Sequence, residues 1–180
     1  MTLTTTPLPT SIDSAPMQTP VFLYMPVPLV RGVVSDPLTG VTAGVFPARV
    51  TGYRLYRAAM WGTGADPMGF VAAQIGHTTL GRLYVIHSAQ YARVLEALDR
   101  AFGFRYGDPS SLYARRRVNI DWVVDDAAVA VHAWMYEGGT LLGSSTHMCT
   151  PVPEGNWSNW LTESHAYRSG GPRPDEPVTP

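Results

Sequence analysis

Polar and apolar positions alternate most clearly between residues 115 and 124. Val118, Ile120 and Trp122 fall on one side of an extended chain, and Arg115, Arg117, Asn119 and Asp121 on the other. A period of two marks a half-buried strand. Asp125 and Asp126 read as a hairpin turn into a second strand, Val129 to Glu137. There Val131, Ala133, Met135 and Glu137 share one face, and His132, Trp134 and Tyr136 the other. Shorter apolar runs at Val21 to Met25, at Arg49 to Arg57 (entered through Pro47) and at Gly81 to Ile86 predict three more strands. Between the last of these and the hairpin, Tyr91, Val94, Leu95, Leu98 and Ala101 recur at helical spacing, with Ser88 placed to cap the helix and Gly103 to stop it. A Gly, Ser, Thr and Pro-rich loop is expected from Gly138 to Gly155. Five strands and one helix predict an α+β fold, a small mixed β-barrel of about five to seven strands with one main helix.

The pattern fades at both ends. Residues 1–20 are mainly Thr, Pro and Ser and read as a disordered tail, as do residues 167–180 around Pro172, Pro174, Pro177 and Pro180. One domain over 21–166 remains, and a composition 45% hydrophobic and 15% charged is apolar enough to give it a core.

Charge then removes several function classes. The formal net charge is −1 and no dense basic run occurs, which argues against a nucleic-acid partner. All 13 basic residues are arginine, so a Walker lysine, a pyridoxal Schiff base and a lysine aldolase are excluded. The same lysine-free, Arg-, Ala-, Gly- and Pro-rich usage is what a high-GC coding sequence produces. A lone cysteine, Cys149, and no leader-like N-terminal segment predict a cytoplasmic protein. The apolar run from Val21 to Val30 is too short for a membrane span and is broken by Pro26 and Pro28.

The generic motifs are weak. Gly62, Gly64 and Gly69 are glycine-rich, but Pro67 stands where a dinucleotide fingerprint needs its third glycine, and the segment reads as a loop. His147 and Cys149 lack zinc-site spacing, Cys149 reads as an ordinary thiol, and no Gly-x-Ser-x-Gly elbow is present. Neither metal nor cofactor is expected. The run Arg115 to Arg117 is split by strand alternation and reads as a solvated strand face. Glu137 is more informative: if its face lines the barrel it sits at the rim, where a carboxylate can act as general acid or base, and otherwise it is a solvated strand end. His87, in phase with Leu83 and Val85, is either a second candidate base or a residue packing the helix start.

The order of these pieces resembles the gamma-glutamylcyclotransferase-like family over about residues 21 to 161. A first strand ends at Tyr24, and Val50, Gly52, Tyr53 and Leu55 look like the family's second strand. Gly81, Leu83 and Tyr84 resemble its Gly-x-Leu-Tyr strand; Leu98, Asp99 and Gly103 its Leu-Asp-x-x-Glu-Gly helix end; Tyr113, Arg115 or Arg116, and Val118 its Tyr-x-Arg-x-x-Val strand. Ala133, Trp134 and Tyr136 resemble its Ala-Trp-x-Tyr strand, and Gly155 and Trp157 its closing Gly-Asp-Trp. Two departures stand out. The loop whose backbone N–H groups hold a carboxylate in the family is here Tyr24, Met25, Pro26, Val27, Pro28 and Leu29, with no glycine and two donors lost to proline. The family's catalytic glutamate falls at Phe102, which exchanges no proton.

The resemblance with both elements lost implies a repurposed cavity for a larger, partly apolar small molecule, lined by Met25, Pro26, Phe102 and Tyr136. The expected activity is cofactor-independent dehydration, intramolecular cyclisation by conjugate addition, or both, on a natural-product intermediate. Tyr24, Tyr113 and Tyr136 are the candidate hydrogen-bond donors, and Glu137 or His87 the candidate base. Two alternatives stand beside it: a surviving gamma-glutamyl cyclotransferase that draws its acid/base from Glu137 and releases 5-oxoproline, and a non-catalytic small-molecule binding protein. The sequence leaves the oligomeric state open, a homodimer being one option.

Overall fold

A computed structural model describes residues 18–27, 36–58, 68–124 and 127–158. Within them the chain forms β1 (Val21–Leu23), β2 (Thr42–Ala58), β3 (Met68–Ile86), α1 (Tyr91–Ala101), β4 (Tyr113–Val124), β5 (Ala127–Gly138), a short α2 (Thr140–Ser144) and β6 (Thr150–Pro151). The strands pair in the order β3-β1-β5-β4-β2-β6, and β2 also pairs with β3. That last pairing closes β1, β3, β2, β4 and β5 into a ring, leaving β6 as an appendage on β2. Closure gives each of the five strands a neighbour on both sides and removes the unpaired edges that an open sheet would carry. The sheet is mixed because β1 runs parallel to β5 and antiparallel to β3.

Three elements depart from the sequence expectation: β2, β3 and the start of α1. β2 and β3 are far longer than the runs Arg49 to Arg57 and Gly81 to Ile86, pairing from Thr42↔Ile86 to Ala58↔Met68 with a register shift between Thr51 and Tyr53. Residues 68–80 carry glycines, alanines and threonines without alternation, and the pairing of residues 68–73 and 78–80 with β2 makes them a strand where propensity alone does not. Ser88 does not cap α1. It opens a short 3₁₀ turn, Ser88–Gln90, and α1 then starts after Gln90 without a side-chain cap. The predicted stop holds. Gly103 has φ 59°, its N–H reaches Arg100 O at 3.2 Å, and the Phe104 N–H reaches Asp99 O at 2.8 Å. This is a Schellman closure, and it needs a residue tolerant of the left-handed region.

The remaining expectations place as follows. The β4–β5 hairpin is present, although Asp125 and Asp126 lie outside the described residues; the flanking strands pair through Val124↔Ala127. The expected loop from Gly138 to Gly155 contains α2 and β6. The tails assigned to 1–20 and 167–180, together with Gly62, Gly64 and Pro67, fall almost wholly outside the described residues. Among the described residues no helix is long and apolar enough to cross a membrane.

The core has two parts. Residues directly opposite on a ladder share a face, so Val118↔Ala133 and Ile120↔Val131 belong to the same side of the β4–β5 ribbon as Met135. Phe22, level with Met135 on β1, joins them. Phe22, Ile120, Ala133 and Met135 are completely buried and fill the barrel. The other side of the ribbon carries Tyr113, Arg115, Trp134 and Tyr136 and is covered by α1, which buries Val94 and Leu98.

Candidate functional site

The two faces of β5 supply different chemistry at the Glu137 end of the barrel. On the interior face, Arg116 stands opposite Met135 and Ala114 opposite Glu137, which makes Arg116 and Glu137 diagonal neighbours. The Arg116 Nε donates to Glu137 Oε1. The pair is asymmetric: the Glu137 side chain is 13% exposed and that of Arg116 is 63% exposed. The carboxylate therefore sits inside the rim with the guanidinium on its outer side. Tyr53 on β2 lies within the field of both; burial raises its phenol above the ordinary value, Glu137 adds to the rise and Arg116 opposes it. Tyr24, just past β1, is the other tyrosine that feels the Glu137 charge.

The helix-covered face holds an aromatic stack. The Phe102 ring lies parallel to Tyr136, with centroids 4.2 Å apart, and meets Tyr113 edge-on at 5.1 Å. All three are buried, Phe102 being 1% exposed. The Tyr136 hydroxyl donates to Asp99 Oδ1 at 2.7 Å, and Arg115 Nη1 donates to both Asp99 oxygens at 2.9 and 2.7 Å. The Arg115 guanidinium lies over the Phe104 and Trp134 rings, 5.1 Å from each centroid. Half-burial pushes the Asp99 carboxyl up, against the Tyr136 and Arg115 hydrogen bonds that pull it down. This network ties the end of α1 to β4 and β5.

The three candidate tyrosines are thus brought together, but their hydroxyl protons are directed into the protein. Tyr24 donates to the Tyr136 carbonyl at 2.7 Å, Tyr113 to the Gly69 carbonyl, and Tyr136 to Asp99. Burial raises all three phenols well above the ordinary value, so they stay protonated at neutral pH. Met25 is buried against Gly69, where an added Cβ would lie 2.8 Å from its sulfur and 2.6 Å from the Trp157 ring. Met25 and Phe102 are packed into the protein's own core, whereas Pro26 is exposed.

His87 is not part of this group. It is exposed and follows Ile86, which pairs with Thr42 at one end of the β2–β3 ladder. Phe70, near the other end of β3, is the residue that meets Gly138 beside Glu137. The structure therefore puts His87 and Glu137 at opposite ends of the barrel. Cys149 is half-buried, and burial raises its thiol, which disfavours a thiolate nucleophile. Among the described residues no three His, Cys, Asp or Glu side chains group as a metal site.

Sequence reasoning passed over Arg116, Tyr53 and the role of Asp99. Arg116 left a signal: it is in phase with the apolar positions Val118, Ile120 and Trp122, and an arginine on a core-facing register needs a reason. Tyr53 and Asp99 stand in motifs that carry the family resemblance, but no local pattern shows what they touch, because their neighbours come from distant strands.

No family model and no curated protein matches the sequence. Solved structures do. A solution structure from Arabidopsis thaliana is 16% identical and covers 87% of this chain and 91% of its own, with a TM-score of 0.50. A second from the same plant is 19% identical, covering 88% and 81%, also at 0.50. A yeast gamma-glutamyl cyclotransferase specific to glutathione is 12% identical, covering 89% and 91%, again at 0.50. The chain has the gamma-glutamylcyclotransferase-like fold. The likeness is one of fold.

Proposed function

We propose that this protein is a cofactor-independent, cytoplasmic enzyme that uses a cyclotransferase-type barrel for proton-transfer chemistry on a small molecule: dehydration or intramolecular cyclisation of a natural-product intermediate. The observation that carries the reading is Glu137, a carboxylate on the interior register of β5, 13% exposed at the barrel rim and oriented by Arg116. A carboxylate so held can take a proton from one atom of a folded substrate and return it to another. Holding a flexible molecule in a reactive conformer supplies much of the remaining acceleration. The tyrosines serve as scaffold in this reading, since their protons are already spent on Tyr136 O, Gly69 O and Asp99.

A surviving gamma-glutamyl cyclotransferase is less well supported. The position that matches the family's glutamate is Phe102, sealed in an aromatic stack rather than open to a substrate. The committed tyrosine hydroxyls favour a second reading, a binding protein without turnover. Comparative mass spectrometry of the source strain with and without the gene, followed by feeding the accumulated compound to purified protein, separates the three. An accumulated isomer of the product, or a compound one water heavier, that wild type converts and Glu137→Gln does not supports the enzyme. Release of 5-oxoproline establishes the cyclotransferase, and tight binding without conversion establishes the binding protein. Full turnover by Glu137→Gln would remove Glu137 from the mechanism.

A further inference from the structure

The Arg116–Glu137 pair uses only part of the arginine. A guanidinium presents five N–H donors in a planar fork. The bond to Glu137 is made by Nε, and among the described residues neither Nη is bonded to an acceptor. The side chain is 63% exposed, and strand alternation keeps it clear of the Asp99 network that occupies its neighbour Arg115. Two parallel donors are thereby left at the rim of the barrel, beside the carboxylate and within reach of the field at Tyr53. Such an arginine is more than a counter-ion for Glu137.

We infer that Arg116 is the anion-binding residue of this site and that the molecule it accepts carries a carboxylate. This rests on the reading of Glu137 as the reacting group. The Nη edge receives the substrate carboxylate in the two-bond geometry that suits a planar anion, while Nε keeps its hold on Glu137. One guanidinium then bridges the substrate's charged group and the protein's acid/base, setting the distance between them. The reacting carbon or hydroxyl must lie only a few atoms from the carboxylate, as in a hydroxy acid or an unsaturated acid. A monoanion is favoured over a dianionic phosphate because Glu137 already offsets the single positive charge, and each added negative charge meets that carboxylate at short range. For the same reason, neutralising Glu137 strengthens anion binding.

The test reads binding, not turnover. Side-chain NMR of isotopically labelled full-length protein follows the Arg116 guanidinium, assigned by its disappearance in Arg116→Gln, together with the backbone amides around it, during titration with sodium 3-hydroxybutyrate, a monoanion, at constant ionic strength. Inorganic phosphate is titrated in parallel. The expected result is a saturable 3-hydroxybutyrate shift at Arg116 and its neighbouring amides, tightened at least about threefold in Glu137→Gln and, read from the amides, weakened in Arg116→Lys, which keeps the charge without the fork. The same amides in Arg116→Gln, its fold checked by circular dichroism, should show no saturable response. A linear, non-saturating response in wild type, an unchanged amide response in Arg116→Gln, or saturation by phosphate but not 3-hydroxybutyrate would overturn the assignment. Saturable 3-hydroxybutyrate binding in a protein whose Glu137→Gln variant turns over normally would leave Arg116 as the anion site and reject Glu137 as the reacting group.

Discussion

Phe102 decides whether the helix end of the barrel is a plug or a ligand cavity, and truncating it to alanine tests which. The ring is 1% exposed, stacked on Tyr136 at 4.2 Å and edge-on to Tyr113 at 5.1 Å. Removing a buried phenylalanine costs about 3–5 kcal/mol, counting the lost transfer free energy and the cavity left behind. The two ring pairs supply about 1–3 kcal/mol of geometry-dependent attraction of their own, so the upper half of that range is expected. Against a total stability of about 5–15 kcal/mol this is a large fraction. For a domain of this size it lowers the melting temperature by about 6–20 °C. Urea unfolding followed by far-UV circular dichroism and by near-UV signal from the aromatic stack measures it, and the two transitions should coincide. A loss below about 1 kcal/mol would refute the packing argument. It would mean that the ring borders open space, and that Phe102 is better read as a wall of a ligand site than as its filling.

Two other substitutions probe the same layer. Arg115→Ala removes both bonds to Asp99 and the guanidinium that lies over Phe104 and Trp134, and should cost about 2–3 kcal/mol in urea unfolding; Arg115→Lys, which keeps the charge but not the planar contact, should recover only part of that loss. Asp99 tests a pH sign: burial raises its folded-state pKa above the ordinary 3.8, so the native state takes up this proton first as pH falls. Wild type should therefore gain stability relative to Asp99→Asn as pH drops from above the raised value to below 3.8, and a widening deficit over that window in paired unfolding curves would reverse the assignment.

Much of the barrel is legible in short-range pattern along the chain. The period of two in β4 and β5, the helical spacing of Tyr91 to Ala101 and the stop at Gly103 are local properties, each set by side chains a few residues apart, and each appears in the structure. So does the phase of Glu137 with Ala133 and Met135, because alternation assigns a face without reference to any other strand. What needed the tertiary structure was everything decided by partners distant in the chain. Met68 to Leu80 became strand only through its ladder with β2. The tyrosine hydroxyls looked available because their acceptors, the Tyr136 and Gly69 carbonyls and Asp99, lie 112, 44 and 37 residues away. His87 and Glu137 looked like interchangeable bases until barrel closure put them at opposite ends. A side chain's face is written in its neighbours along the chain, but its unspent hydrogen bonds and its solvent are set by long-range contacts that form only when the ring closes.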